Sequence, residues 1–402
     1  AERRMGACGS SHAGRPDHTL LCSEGKRGRH SSGDEMTSEE DSSTSGSELD
    51  VSGVPAAEKR SKVSKGGNAM FGYTCRKGRK PGSRLPNQDS WCMHRVSRTV
   101  SAYGVFDGHG EKGHLISEYC KHSLTRSVGT ASKEPEDAMI PRVEAAFQRM
   151  HRAVVQKPTL GSRQSGTTAT IVVHDMQNER LTVSHVGDST AVLLKHKADT
   201  EQGLVGVPLT RDHKPNLEDE RARIVKHGGR VVSDGYCYRV SKRSSSGPGL
   251  AMSRSLGDSL AHDVCGVSAS PEVRVVPLRP EDKALLICSD GIWEVISPQE
   301  AAELVEEFQP WQCMEAARKL ADEAIKRWLN ATNGTLTDDI TVLLAWISNE
   351  LPMLTRTTTE ASTSADTAST ASPANLDFRS RSDVTMDSNI ARMISDASAC
   401  SP

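Results

Sequence analysis

Five aspartates stand at the edges of apolar runs, and this pattern constrains the fold more than any other feature of the chain. They are Asp89, Asp107, Asp188, Asp290 and Asp338, in RLPNQDSW, AYGVFDGHG, LTVSHVGDSTAVLL, KALLICSDGIWEV and LTDDITVLLAWI. A buried strand that begins or ends on Asp places a carboxylate at the edge of a sheet. Where such edges coincide, the like charges require cations between them. Oxygen ligands favour Mg²⁺ or Mn²⁺. Any one of these residues could instead mark an ordinary turn, but five together favour a carboxylate-held metal site.

Composition separates one large folded region from two tails. Residues 1–68 are rich in Ser, Gly and charge, and residues 350–402 are rich in Thr, Ser and Ala. Neither segment has apolar periodicity, so both are predicted to be disordered. Residues 69–349 carry frequent apolar runs and are sufficient for a sizeable core. We therefore expect a single folded domain between two tails.

Charge and cysteine usage exclude several classes of protein. The net charge is −2, and no basic stripe with interleaved aromatics is present, which argues against nucleic-acid binding. The ten cysteines include no Cys-x-x-Cys pair and are expected to be reduced, as in a cytoplasmic protein. No apolar stretch reaches the length of about 18 residues that a membrane span requires.

A short motif near the start of the sequence predicts lipidation. Residues Met5–Ser11 read MGACGSS, which matches the N-myristoylation pattern at Gly6, with Cys8 placed for palmitoylation. Two acyl chains would attach the protein stably to the cytosolic face of a membrane. The prediction requires that Gly6 become the N-terminus, and Ala1–Arg4 precede the motif. The alternative is a chance match.

Strand and helix patterns alternate irregularly, which favours an α+β fold. TATIVVHD, RLTVSHVGD and STAVLLKH are predicted to form an antiparallel meander, and AYGVFD, KALLICSD and DITVLLAWI are further strand candidates. Helical periodicity marks several other segments, and Ser297-Pro298 is a typical helix start. This pattern predicts antiparallel sheets flanked by helices. Residues 216–265 become polar and Gly-rich after one short helical stretch, as in a mobile flap or an inert insertion.

Two further residues suit hydrolysis of a phosphate ester at a pair of metal ions. Arg84, shortly before Asp89, could supply a bidentate guanidinium for phosphate; the alternative is an ordinary surface Arg. His109, two residues after Asp107, could act as the general acid for the leaving group; the alternative is a solvated loop His. Rival phosphatase chemistries lack their motifs, because no Cys-x₅-Arg interval contains Gly and neither Asp-x-Asp nor a Walker A loop occurs.

At these residues the chain resembles the metal-dependent type 2C (PPM-type) protein serine/threonine phosphatase family. GPGLAMSRSLGD, SASPEVRVVPL, SGTTATIVV and LTRDHKPNLEDERARIVKHGGRV resemble further motifs of that family, and the similarity extends from Phe71 to Ile347. The resemblance implies a central antiparallel β-sandwich with helices on both outer faces, in α-β-β-α layers. It also implies a centre of two Mg²⁺ or Mn²⁺ ions between the sheets.

The resemblance further implies a role for each candidate residue. Asp107 would bridge the two metals, and Arg84 and His109 would bind phosphate and protonate the leaving group. Water activated by the metals would attack phosphoserine or phosphothreonine directly, without a phosphoenzyme. The remaining ligands would be the Gly108 carbonyl, Asp290 and Asp338, with Asp89 holding metal-bound water, and Asp188 and Glu294 at a weaker third ion.

Three positions depart from the family pattern. Gln88 stands where many members have Glu, Glu294 where Asp is frequent, and Thr190 where Arg is frequent. None removes a core ligand, so we expect an active phosphatase in signalling that acts on phosphoproteins as a monomer. The alternative is a pseudophosphatase, a membrane-tethered module that binds phosphoproteins without hydrolysis. A two-metal nuclease is disfavoured by the near-neutral charge.

Overall fold

The computed structural model describes residues 70–197, 203–242 and 249–347. The predicted tails, including Gly6 and Cys8, lie outside the described residues, as do residues 243–248 of the predicted flap. Among the residues described, no helix has both the length and the apolar character that crossing a bilayer demands.

Antiparallel strands form the centre of the domain. One sheet has the order β1-β14-β13-β7-β8, and the other has the order β11-β4-β3-β5-β6-β12, with β2 paired to β3; β9 and β10 form a separate hairpin. In these labels the strands are β1 (Phe71–Arg76), β2 (Asp89–Arg95), β3 (Val100–His109), β4 (Gly166–Thr167), β5 (Ala169–Asp175), β6 (Arg180–Val186), β7 (Thr190–His196), β8 (Leu204–Pro208), β9 (Gly229–Ser233), β10 (Tyr238–Lys242), β11 (Leu256–Gly257), β12 (Glu272–Pro277), β13 (Asp282–Cys288) and β14 (Ile340–Trp346).

The helices are α1 (Gly113–Ala131), α2 (Glu136–Val155), α3 (Glu218–Lys226), α4 (Ser259–Cys265), α5 (Asp290–Trp293), α6 (Pro298–Glu306) and α7 (Cys313–Ala331), with 3₁₀ turns at Pro158–Leu160 and Pro310–Gln312. α1 and α2 cover the outer face of one large sheet, and α6 and α7 cover that of the other. α3 and α4 pack against the β9–β10 hairpin instead. The predicted helix start is confirmed, because the Ser297 side chain and Glu300 form a capping box and Pro298 occupies the first turn of α6.

Side chains on the strands alternate between two core layers, as the two-residue period of a strand requires. In β3, Ala102 and Phe106 pack beneath α1 and α2, whereas Tyr103 and Val105 point into the space between the sheets. The other sheet behaves in the same way, with Leu286 facing α7 and its neighbours in β13 facing inward. Three apolar layers therefore separate helix, sheet, sheet and helix, and the expected α-β-β-α sandwich is confirmed.

One detail of the predicted meander is wrong. β5 and β6 pair as expected, but β7 pairs with β13 and β8 in the other sheet. The chain crosses between the sheets at Gly187, whose φ of 97° lies in the region that favours glycine. β6 and β7 are both largely buried, so the apolar pattern did not reveal to which sheet each belongs. The crossing places Asp188 between the two sheets.

Candidate metal centre

The predicted aspartates converge at one edge of the sandwich. Asp89 begins β2 and lies directly opposite Asp107 in β3. Asp290 begins α5 immediately after β13, and Asp338 precedes β14, which pairs with β13. Asp188 reaches the same edge from the crossing between β6 and β7. Strands that meet at one edge therefore bring together acids that are distant in sequence.

The carboxyl groups share one poorly solvated pocket, as their pKa values indicate. Burial and neighbouring carboxylates, among them Asp290, raise the pKa of Asp89 to about 7. Burial raises the pKa of Asp107 well above its ordinary value, and the charges of Asp89 and Asp290 add to this. Burial and the charges of Asp338 and Asp188 raise the pKa of Asp290 to about 7. Like charges at this density disfavour ionisation unless cations compensate them.

The donor set suits hard divalent cations. Asp89 accepts a hydrogen bond from the Ser289 hydroxyl at 2.8 Å through one carboxylate oxygen. Its other oxygen is buried and has no hydrogen-bond partner among the described residues, and the same is true of one oxygen of Asp188. Unpaired buried carboxylate oxygens are costly, and a metal ion would relieve that cost. Gly108 packs so closely that a Cβ there would lie 2.5 Å from the carbonyl oxygen of Gly113. The residues present therefore fit the implied Mg²⁺ or Mn²⁺ ions.

Two lysines supply part of the counter-charge within the site. Lys80 Nζ lies 2.6 Å from Asp338, and Lys214 Nζ lies 2.6 Å from Asp188. Burial opposes the charge of each lysine, but the adjacent carboxylate outweighs it and raises the pKa of both ammonium groups. Both lysines therefore stay protonated, and the cluster of acids still exceeds them in charge. Neither lysine is predictable from the sequence, because an isolated Lys has no distinguishing local pattern.

His109 is held by an acid from a distant segment. Its Nε2 lies 2.7 Å from Asp258, and the same carboxylate accepts a hydrogen bond from the Ser255 hydroxyl at 2.6 Å. Burial lowers the pKa of His109, but the Asp258 carboxylate outweighs burial and the net pKa is raised. A Cβ on Gly166 would lie 2.0 Å from Asp258, so only glycine fits there.

The departures from the family pattern at Gln88 and Thr190 have structural roles. The Gln88 side-chain amide donates to the carbonyl oxygen of Gly110 at 2.6 Å, which ties β2 to the loop after His109. The Thr190 hydroxyl donates to Asp212 at 2.7 Å. Each side chain thus supports a loop of the centre by a hydrogen bond.

Comparison with known proteins identifies the family. The family model for protein phosphatase 2C matches residues 82–330. The chain belongs to the protein phosphatase 2C family. The expected family and enzyme class, a protein phosphatase, are therefore confirmed, and this family is metal-dependent.

Relatives and solved structures agree with this assignment. The chain is 32% identical over 299 residues to probable protein phosphatase 2C 73 of Arabidopsis thaliana, which covers 67% of this chain and 77% of the relative. It is 31% identical over 283 residues to probable protein phosphatase 2C 34 of the same organism, which covers 65% of this chain and 77% of the relative. The crystal structure of serine-threonine phosphatase 2C from Toxoplasma gondii has a TM-score of 0.59 at 20% identity and covers 70% of this chain and 96% of that one. That likeness shows the same fold.

Two predicted site residues of this phosphatase 2C chain are exposed. Arg84 lies in the loop before β2 and makes no ion pair with any residue that the structure describes. Glu294 follows α5 at the mouth of the site, where desolvation and the charge of Asp290 raise its pKa. Arg84 is thus free to meet a ligand from solution, and Glu294 shares the electrostatic environment of the acids.

A second cluster, His185, His213 and Glu272, places its nearest nitrogen and oxygen atoms within 4.8 Å of one another. The backbone N–H of Gly187 donates to His213 Nδ1 at 3.0 Å, so the proton of neutral His213 is on Nε2, which faces Glu272 at 3.5 Å. His185 Nε2 donates to the carbonyl of Arg211 at 2.8 Å. These hydrogen bonds occupy one nitrogen of each histidine, and His213 Nε2 faces Glu272 without forming a hydrogen bond to any described residue. We interpret the cluster as a support for the crossing that carries Asp188.

Proposed function

We propose that this phosphatase 2C family member hydrolyses phosphoserine and phosphothreonine in proteins with the help of divalent metal ions. The observation that carries the proposal is the convergence of Asp89, Asp107 and Asp290 in one pocket where burial and mutual repulsion raise their pKa values. Such a pocket is stable in its ionised form only with bound cations. We assign the activity to residues 69–349, with residues 1–68 and 350–402 as tails.

The acids would hold two Mg²⁺ or Mn²⁺ ions, because oxygen donors suit these metals. When bound, such a pair activates water and stabilises charge on the attacking and leaving oxygens of an in-line displacement at phosphorus. The carboxylates and carbonyl that would hold the pair are those of Asp107, Gly108, Asp290 and Asp338, with Asp89 beside them. Asp188 and Glu294 would hold a weaker third ion.

Other side chains of the site would bind the substrate and supply a proton. Arg84, exposed and without an acidic partner among the residues that the structure describes, would hold the phosphate through its guanidinium. His109 would protonate the departing Ser or Thr oxygen. Its Nε2–H faces Asp258, whereas Nδ1 is buried and has no hydrogen-bond partner in the part of the chain that the structure describes. The proton that would be transferred is therefore the one on Nδ1. Asp258 would keep the imidazole protonated and in a fixed orientation.

The experiment is phosphate release from a phosphothreonine peptide with and without manganese. We expect turnover only with the metal. In Asp107→Ala and Asp290→Asn the rate should fall by roughly a thousandfold or more, because both substitutions weaken binding of the two metal ions. Asp322→Asn, on the exposed face of α7 with 63% side-chain exposure, is the matched control and should retain activity. Metal-independent turnover would contradict the proposal, and tight binding without hydrolysis would favour the pseudophosphatase.

Attachment to a membrane remains a separate prediction from the sequence. Acylation of Gly6 and Cys8 would place the enzyme at the cytosolic face of a membrane. Incorporation of a myristate analogue into the wild type but not into Gly6→Ala is the expected result. Equal labelling of the two proteins would exclude the prediction.

A further inference from the structure

One carboxylate closes the loop that precedes β2. The backbone N–H of Gly78 donates to Asp339 Oδ1 at 2.6 Å, and the backbone N–H of Gln88 donates to Asp339 Oδ2 at 2.8 Å. Arg79 and Thr337 also exchange two backbone hydrogen bonds of 2.9 Å. We call residues 78–88 the clamped loop. Its two ends are thus fixed beside Asp338 and Asp89, at the proposed metal centre.

The closure limits how far any residue of the clamped loop can lie from the site. Five residues, about half of the loop, span at most ~17 Å when fully extended. A Cβ on Gly78 would lie 2.3 Å from the carbonyl carbon of Asp338, so the loop starts in direct contact with the segment that carries this acid. Side chains on the loop and just before it therefore lie within about 17 Å of the acids, and we call residues 77–88 the border of the site.

This border carries positive charge that the described part of the chain does not neutralise. Lys77, Arg79 and Arg84 are exposed, and none forms an ion pair with any of the described residues. Among the described residues, the Arg79 guanidinium donates to the backbone carbonyl of Gly334, at 3.3 Å, and to no carboxylate. By contrast, Lys80 pairs with Asp338 and Arg76 pairs with Asp322. The three unpaired cations are therefore available to a ligand.

We infer that Lys77 and Arg79 select phosphoprotein substrates with acidic residues beside the phosphorylated Ser or Thr, an inference that rests on the proposed function. Arg84 would bind the phosphate itself, and the other two cations lie on the same border, at a distance that a few residues of an extended peptide can span. Guanidinium and ammonium groups attract the carboxylates of a nearby peptide. An anionic membrane surface could also bind these cations, but the clamped loop is fixed beside Asp338 and Asp89, which favours a substrate.

The test compares two phosphothreonine peptides that differ only in their flanking residues, Glu in one and Gln in the other. At low salt we expect wild-type kcat/KM to be roughly tenfold higher for the Glu peptide, mainly through KM, because flanking contacts act equally on bound substrate and transition state. The double variant Lys77→Glu/Arg79→Glu should lose this preference and leave turnover of the Gln peptide unchanged. Lys77→Gln/Arg79→Gln should show an intermediate preference. Added salt should weaken the preference in the wild type.

The matched control is Arg98→Glu. Arg98 is also exposed and follows the far end of β2, at the opposite end of that strand from Asp89. This variant should retain the wild-type preference, whereas the single variant Arg79→Glu, which changes the net charge by the same amount, should weaken it; this separates a local effect from a change in net charge. An unchanged melting temperature in each variant would show that the fold is intact.

The outcomes separate the inference from the proposed function. If neither peptide is hydrolysed, the proposed function fails. If both are hydrolysed equally by the wild type, or if the double variant keeps the preference, the inference is overturned. Equal peptide rates combined with binding to phosphatidylserine vesicles that the double variant loses would assign the cations to a membrane surface instead.

Discussion

At the scale of single residues, the site depends on partners that are far away in the sequence. His109 stands out in the sequence because it lies between glycines beside an acid. Asp258, which lies 2.7 Å from His109 Nε2, belongs to a motif that sequence analysis noted without assigning it a role. Its backbone φ of 45° is uncommon for a residue other than Gly. Only the fold brings the two side chains together.

We predict that Asp258→Asn impairs proton transfer and not the fold. Loss of the carboxylate removes the charge that raises the pKa of His109, so His109 should lose its proton at lower pH and the alkaline limb of kcat should move to lower pH. We expect kcat on a phosphothreonine peptide to fall by roughly 10- to 100-fold at pH 8. p-Nitrophenyl phosphate, whose leaving group needs no proton, should be affected much less.

The control for this prediction is Asp263→Asn, on the exposed side of the same helix, α4. This variant should hydrolyse both substrates at the wild-type rate and with the wild-type pH profile. Equal losses on the peptide and on p-nitrophenyl phosphate in Asp258→Asn would show that Asp258 is not required for the leaving group and acts on the site in another way.

At the scale of elements, the loops of the site are fastened to one another through Asp339. Its buried carboxylate accepts from the backbone of Gly78 and of Gln88, so it joins the segments before β2 and before β14. Asp338 and Asp339 are adjacent in LTDDITVLLAWI, but they differ in role. Asp338 faces Lys80 and Asp339 holds the backbone.

Replacing Asp339 should loosen the centre without removing a proposed ligand. Asp339→Ala leaves two backbone N–H groups without a charged acceptor, and we expect the free energy of unfolding to fall by about 3 kcal/mol. Because the residues supporting metal ligands tune affinity, the manganese concentration for half-maximal activity should rise by roughly tenfold. Urea unfolding and a manganese titration of activity measure the two effects. The control is Asp322→Ala, which breaks a surface ion pair and should change the free energy of unfolding and the manganese requirement only slightly. Equal effects in the Asp339 and Asp322 variants would contradict this account.

The sequence predicted most elements because their local patterns are strong. Capping residues marked the start of α6, and apolar alternation marked the strands. The sheet assignment of β7 could not be predicted, because a strand buried on both faces has no polar side to indicate its neighbours. The acids were predictable from their positions at strand ends, whereas Lys80 and Lys214 were not, since their role depends on contacts made only in the folded chain.

At the scale of the whole molecule, the centre links stability to pH and to metal ions. The pKa values of Asp89 and Asp290 rise from 3.8 to about 7 in the folded chain without ions. The folded state then binds protons that the unfolded state has released, so stability without metal should decrease as pH rises from about 4 to about 7. Divalent ions bind the ionised carboxylates and should reverse this loss.

We therefore predict that manganese raises the melting temperature more at pH 8 than at pH 5.5. Manganese at about 100 times its dissociation constant stabilises by ~2.7 kcal/mol, which corresponds to a shift of ~5 °C or more at pH 8 for a domain of this size. At pH 5.5 protons compete for the same oxygens and the shift should be smaller. In Asp107→Ala/Asp290→Ala the shift should largely disappear. A shift that is equal at both pH values would contradict this linkage.

The most direct measurement is the anomalous difference density of crystals grown with excess manganese. Two strong peaks should lie between the sheets, within ~2.3 Å of carboxylate oxygens of Asp107, Asp290 and Asp338, which is the ordinary distance for oxygen ligands of such ions. Crystals that diffract well but show no peak at these side chains, or peaks only at His185 and His213, would contradict the account.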